Sequence, residues 1–312
     1  MYRVTSLAVA DNRRFLVAAA AAFMMLWLFM RPLPYTDAMT NGVVVWWVAL
    51  CTLSVVNLCV WRLSATAVTQ HRDAVDDADY RFQKWQLILS AIYVAGCAFR
   101  SVLPRADVQR IGLFDTWLSS VFVGRSVATV AEMCFMAQWA MLLHRVSRAA
   151  NLRFGVIFAW ALVPMITVAE ICSWYAVLTT CYLGNAIEES IWALSATLLL
   201  VSGAMLWPRV GATGRRFLAA AMALGVGYVA FMVTVDVPMY LTRWLADEAS
   251  GRTYLTLSQG LHDVGSRWHV TFAWEEWRTE IPWMSLYFSV AVWSSIALIF
   301  APWLTPRPRM AS

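Results

Sequence analysis

Eight long apolar runs recur through this chain of 312 residues: Phe15–Met30, Val43–Trp61, Trp85–Leu103, Ser126–Leu143, Phe154–Thr180, Ser190–Trp207, Phe217–Leu241 and Trp283–Leu304. A helix needs roughly 20 apolar residues to cross the hydrocarbon of a bilayer, and each run is close to that length. Composition agrees, with 61% hydrophobic and 14% charged residues, against about 45–50% and about 25% in an ordinary soluble domain. A water-soluble core of this length cannot hide so much apolar surface, which excludes a soluble enzyme and a disordered chain. The expected fold is all-α: a polytopic helical membrane protein with about eight transmembrane helices, forming one domain over residues 1–312. The first run follows Arg13-Arg14 and is short enough to resemble a signal peptide. No small-x-small cleavage site precedes Arg31-Pro32-Leu33-Pro34, so it reads as a retained span.

Charge sets the expected orientation. Cytoplasmic loops of membrane proteins carry the excess of Lys and Arg. With both termini cytoplasmic, 15 of the 24 basic residues fall on the inner side and nine on the outer. An even number of spans fits that placement. Acidic residues run the other way: 12 of 19 fall in outer segments, and Glu132 and Glu170 fall inside spans. The expected location is the bacterial cytoplasmic (inner) membrane. All but one of the basic residues are Arg, the exception being Lys84, a bias that fits a GC-rich genome. No basic stripe or nucleic-acid motif is present, so nucleic acid is not an expected partner. The linker Ser64–Gln83 reads as a polar, partly helical surface segment. The longer outer segments, 104–125 and 242–282, hold most of the mixed charge, and long polar segments are where function concentrates.

Ionisable groups inside a span are expensive and are functional candidates by default. At 1.5 Å per residue, Glu132 lies about 20 Å from the inner end of its span and Glu170 about 25 Å from the inner end of the next. The two carboxylates are thus expected at similar depth. They sit in nearly identical hexapeptides, Thr129–Cys134 and Thr167–Cys172. Arg125 is seven residues from Glu132, on the same helical face. Small residues at Ala128, Ala131 and Ala169 permit close helix approach. Pro164 and Pro238 are expected to kink or break their spans. Glu188-Glu189 are expected to open the sixth span, where a carboxylate suits a helix N-terminus.

In this reading Glu132 and Glu170 are the candidate catalytic pair, acting as acid and base. Arg100, Arg125, Glu189, Asp236, Arg243 and Glu280 are candidate substrate-binding groups, with Arg suited to a phosphate or carboxylate headgroup. His262 and His269 are a candidate metal pair, although a His-x6-His spacing matches no strong signature. The cysteines show no CxxC and no Cys/His metal spacing. No cofactor is specified by the sequence.

Other patterns are missing. No late-span Lys suits a Schiff base to retinal, no paired His suits a b-type haem, and neither a Walker A motif nor Gly-x-Ser-x-Gly occurs. Glu275-Glu276-Trp277-Arg278 does not fit the Glu-Glu-x-x-x-Arg motif of membrane CAAX-type proteases.

Three functions remain. The first is a membrane-embedded enzyme with an outward-facing site, acting on a lipid, a lipid-linked or a small hydrophobic substrate. The second is a proton- or cation-coupled transporter or channel that uses the intramembrane carboxylates. The third is a non-catalytic scaffold or sensor subunit. Polarity confined to the outer half of the spans favours the first, and polarity continuing inward favours the second. Asn57 and Gln138 are the inner-half exceptions.

Overall fold

The computed structural model describes residues 41–301, so the first expected span and both termini lie outside the described residues. Seven helices among the described residues are long and apolar enough to cross a membrane, and they coincide with the second to eighth runs of the sequence. The protein is an all-α, multi-pass helical membrane protein. Contacts divide the described chain into two compact units.

The first unit holds α1 (Gly42–Gln70), α2 (Asp77–Val102) and the last span, built from α10 (Ile281–Leu286), a π-helical segment (Tyr287–Ala291) and α11 (Val292–Leu298). Asn41 caps α1 by accepting from the Val43 amide, and Asp76 caps α2 by accepting from the Asp79 amide. Such caps satisfy amide donors that a helix start leaves unpaired. The linker is more helical than its polarity suggested. α1 runs on to Gln70, a 3-10 turn covers Arg72–Ala74, and α2 begins at Asp77.

Asn57 repairs the backbone of the π segment. Its Nδ2 donates to the Phe288 carbonyl at 2.8 Å, and its Oδ1 accepts from Trp293 Nε1 at 2.9 Å. A wide helical turn disturbs the regular ladder, and a buried amide supplies what the ladder lacks. A small sheet of two-residue strands lies in this unit: β1 (Arg105–Ala106), β2 (Ile111–Gly112) and β3 (His269–Val270). β1 pairs antiparallel with β2, and β2 parallel with β3. Beside it, α9 (Trp274–Trp277) buries Trp277 completely, with its indole N–H donating to the Thr271 carbonyl.

The second unit is built on three successive long helices, α3 (Val121–Ala149), α4 (Arg153–Thr179) and α5 (Tyr182–Leu206). The connections between them are too short for anything but antiparallel neighbours. Pro164 sits inside α4, which nonetheless runs unbroken. The seventh run continues beyond its expected end at Leu241. α6 (Ala212–Phe231), a π segment (Met232–Asp236) and α7 (Val237–Ala249) follow without a gap, and α7 packs against α5. Pro238 falls in the first turn of α7, where a missing N–H is tolerated; the backbone irregularity lies just before it. α8 (Leu257–Ser266) then docks on α4. A Cβ at Gly260 would stand 2.1 Å from the Leu178 carbonyl oxygen, so only glycine permits that approach.

Candidate functional site

The site lies among α3, α4 and α5. Ser120 caps α3 by accepting from the Val123 amide, which places Arg125 in the second turn. Two turns further, on the same face, is Glu132. The side chains of Arg125, Glu132, Glu170 and Glu188 are all buried, none more than 8% exposed. Arg125 Nη2 donates to Glu170 Oε2 at 2.7 Å, Glu132 Oε2 at 3.1 Å and Glu188 Oε1 at 3.2 Å. One oxygen from each carboxylate lies within 4.8 Å of the other two, the single group of metal-capable side chains that meets this spacing among the described residues.

Close packing makes this convergence possible. Ala128 and Ala169 are fully buried, and Ala131 nearly so. At Gly184 of α5 a Cβ would stand 2.6 Å from the Cys172 carbonyl oxygen of α4. Glu188 is one turn beyond Gly184, so the approach that glycine allows carries Glu188 to Glu170. Glu170 is further held by Thr129, whose hydroxyl donates to Oε2 at 2.6 Å and accepts from Trp174 Nε1 at 3.0 Å. Glu188 Oε2 accepts from Asn185 Nδ2 at 3.1 Å.

Several polar atoms in this region are buried without a partner: Arg125 Nε, Glu170 Oε1 and Asn185 Oδ1. Negative charge extends past the trio. Glu189 lies within the electrostatic reach of Glu188, Asp236, Glu132 and Arg125, and Tyr228 within that of the same carboxylates. Asp107 also acts on Arg125. Three carboxylates thus bond the guanidinium directly, and Glu189 and Asp236 extend the negative charge beyond them.

The residues expected from sequence distribute as follows. Arg125, Glu132 and Glu170 come together, and Glu189 and Asp236 lie in their electrostatic neighbourhood. Asp236 is buried at the end of the π segment. Arg243, in the same unit, lies over the rings of Tyr182 and Tyr240. Arg100 and Glu280 belong to the first unit. Arg100 is buried about 5.8 Å from the ring centroids of Trp283 and Tyr287. Glu280 is buried and accepts from Trp283 Nε1 at 2.8 Å. His262 is exposed on α8 and His269 exposed on β3. Neither is in the group with metal-ligand spacing, which consists of glutamates alone.

The position of Glu188-Glu189 differs from expectation. The helix begins at Tyr182, eight residues before the apolar run, so the pair lies inside it and not at its start. Glu188, not Glu189, then faces Arg125. Asn185, Ser173 and Thr129 also escape a sequence reading, because they carry no charge. The available signal was helical spacing: Thr129 is one turn from Glu132, Ser173 one turn from Glu170 and Asn185 one turn from Glu188.

No known family model, curated protein or solved structure matches the chain.

Proposed function

We propose that the protein couples the binding of an ion, a proton or a small cation, to transport across the membrane, with the Arg125 carboxylate cluster as the coupling site. The observation that carries this reading is three buried carboxylates converging on one guanidinium nitrogen. Uncompensated charge is costly at such a depth, so the excess is balanced by protons or a cation drawn from water. A site whose charge depends on occupancy is what an ion-coupled pathway needs.

Two further features support the reading. The π segment Met232–Asp236 and Pro238 give an irregular backbone beside the acidic groups, a recurring arrangement at transport sites. Polar groups also continue along the helices. Ser195 and Ser202 follow Glu188 at seven-residue intervals on one face of α5, and Gln138 follows Glu132 on α3; all three are fully buried. In this proposal the chain has eight spans with both termini cytoplasmic, in the bacterial cytoplasmic (inner) membrane, and its partner is the lipid bilayer.

A second reading is an enzyme acting on a lipid, a lipid-linked or a small hydrophobic substrate, with Glu132 and Glu170 as acid and base. It is favoured by the unpaired Arg125 Nε, a donor open to an anionic group. Proteoliposomes loaded with the pH dye pyranine separate the two. Under an imposed pH gradient or a cation gradient, the wild-type protein carries flux, and Glu170→Gln with Glu188→Gln lowers it at least about tenfold while the protein remains folded. Absence of flux through the wild-type protein removes the transport reading, and unaltered flux in that double variant removes the cluster as its coupling site. An altered lipid profile in cells carrying Glu132→Gln and Glu170→Gln would then support the enzyme.

A further inference from the structure

The ion-coupled reading leaves the ion open, and the polar atoms around the cluster narrow it. Glu132, Glu170 and Glu188 with Arg125 leave two negative charges if all are ionised. Two of the unpaired buried atoms are oxygens, Glu170 Oε1 and Asn185 Oδ1. Ser173 is fully buried and within reach of Glu188. An ionised carboxylate oxygen and an amide oxygen can only accept, so burial without a partner leaves them wanting a cation or a donor. The remaining unpaired atom, Arg125 Nε, shows that the guanidinium itself is incompletely satisfied where it sits. Its Nη2 fills the point on which the three carboxylates converge.

We infer that this cluster is a binding site for a hard divalent cation, in which the ion takes the place of Arg125 Nη2 as the common partner of Glu132, Glu170 and Glu188. All candidate ligands are oxygens, which suits a hard ion and not a soft one. A spacing of up to 4.8 Å between ligand oxygens spans opposite ligands of an ion bound at about 2.3–2.6 Å, the range of calcium. Two excess negative charges match a divalent ion and not a monovalent one. Arg125 is then a tethered cation that holds the site when the ion is absent and moves aside when it binds. The inference rests on the ion-coupled reading for its role in transport, but the site stands on its own geometry.

The test is titration of Mn2+ into the full-length protein purified in detergent, followed by electron paramagnetic resonance of the free ion, with Ca2+ and Mg2+ as competitors. One saturable site is expected, with Ca2+ displacing Mn2+ more readily than Mg2+. Glu170→Gln or Glu188→Gln weakens binding by about 100-fold, and Ser173→Ala by about tenfold. Arg125→Gln removes the competing cation and tightens binding. Ser173→Ala removes only one hydroxyl, and with unchanged thermal unfolding it separates lost binding from lost fold. Absence of saturable Mn2+ binding to the wild type, full binding by a folded Glu170→Gln variant, or weaker binding by a folded Arg125→Gln variant each overturns the inference. Absence of Mn2+ binding with gradient-driven flux intact overturns the metal site and leaves proton coupling. Saturable Mn2+ binding without flux upholds the site and removes the transport reading.

Discussion

Arg110 spreads its guanidinium over three partners, one for each nitrogen, whereas Arg125 meets three carboxylates through a single nitrogen. Both belong to the second unit and are equally buried. Arg110 Nε donates to Asp263 Oδ2 at 2.6 Å, Nη2 to the Val177 carbonyl at 2.7 Å, and Nη1 to the Asp107 carbonyl. Its own backbone has φ +59°, a conformation unfavourable for a residue with a side chain and kept here by those three bonds. It ties the last turn of α4 to α8 and has no excess charge to exchange. Arg125 keeps Nε unpaired and stands in an excess of negative charge. A balanced, fully bonded arginine is a fastening. An unbalanced one with an unmet donor is what the proposed exchange of occupants requires.

The largest expected effect breaks the fastening. Arg110→Ala leaves Asp263 buried without its main partner and removes the donor to the end of α4. Losing one member of a buried ion pair costs about 3–5 kcal/mol, measured by chemical unfolding in detergent. Asp263→Asn is expected to cost less, since Arg110 keeps both carbonyl contacts and the other cation on Asp263, Arg267, is mostly exposed. Mn2+ affinity of folded Asp263→Asn stays at the wild-type value, because the fastening and the cluster share no ligand. A parallel loss of affinity would show that the two arginines act as one network.

A smaller effect attacks the cluster through packing. Gly184→Ala places a Cβ 2.6 Å from a backbone oxygen, and backbone cannot swing away as a side chain does. Overpacking of this kind costs about 1–3 kcal/mol. The strain separates α4 from α5, so Glu188 recedes from Arg125 and Glu170. Mn2+ affinity and pyranine-reported flux should both fall. Stability lowered with both functions intact would mean that Glu188 is not needed at the site.

These contrasts mark where the sequence was legible. Apolar runs located seven spans, because burial in lipid demands length and hydrophobicity from every residue of a run. Arg125 and Glu132 were legible as neighbours because seven residues make almost two whole turns. Glu170 followed from helical rise alone. The choice of Glu188 over Glu189 was not legible: it depends on the helix starting at Tyr182, and polar Asn185 and the acidic pair masked that start. Arg110 and Asp263 lie 153 positions apart, and their pairing depends on a loop residue with positive φ. No periodicity carries that information.

The matched hexapeptides supply the finest comparison, since sequence alone gives their threonines the same part. Thr129 donates to Glu170 and accepts from Trp174, bridging α3 to α4 at the cluster. Thr167, equally placed before its glutamate, is exposed and donates to the Val163 carbonyl of its own helix at 2.9 Å. Thr129→Val removes a hydrogen bond to a buried carboxylate and strands an indole N–H, at about 1–2 kcal/mol. Thr167→Val preserves shape and loses a local bond and a weak contact to Met133 Sδ at 3.8 Å on an exposed surface, within about 0.5 kcal/mol. Unfolding midpoints of the two variants, measured side by side, check the asymmetry. Equal losses would mean that the repeat reflects two equivalent sites, and that the convergence on Arg125 is not what sets the importance of these residues.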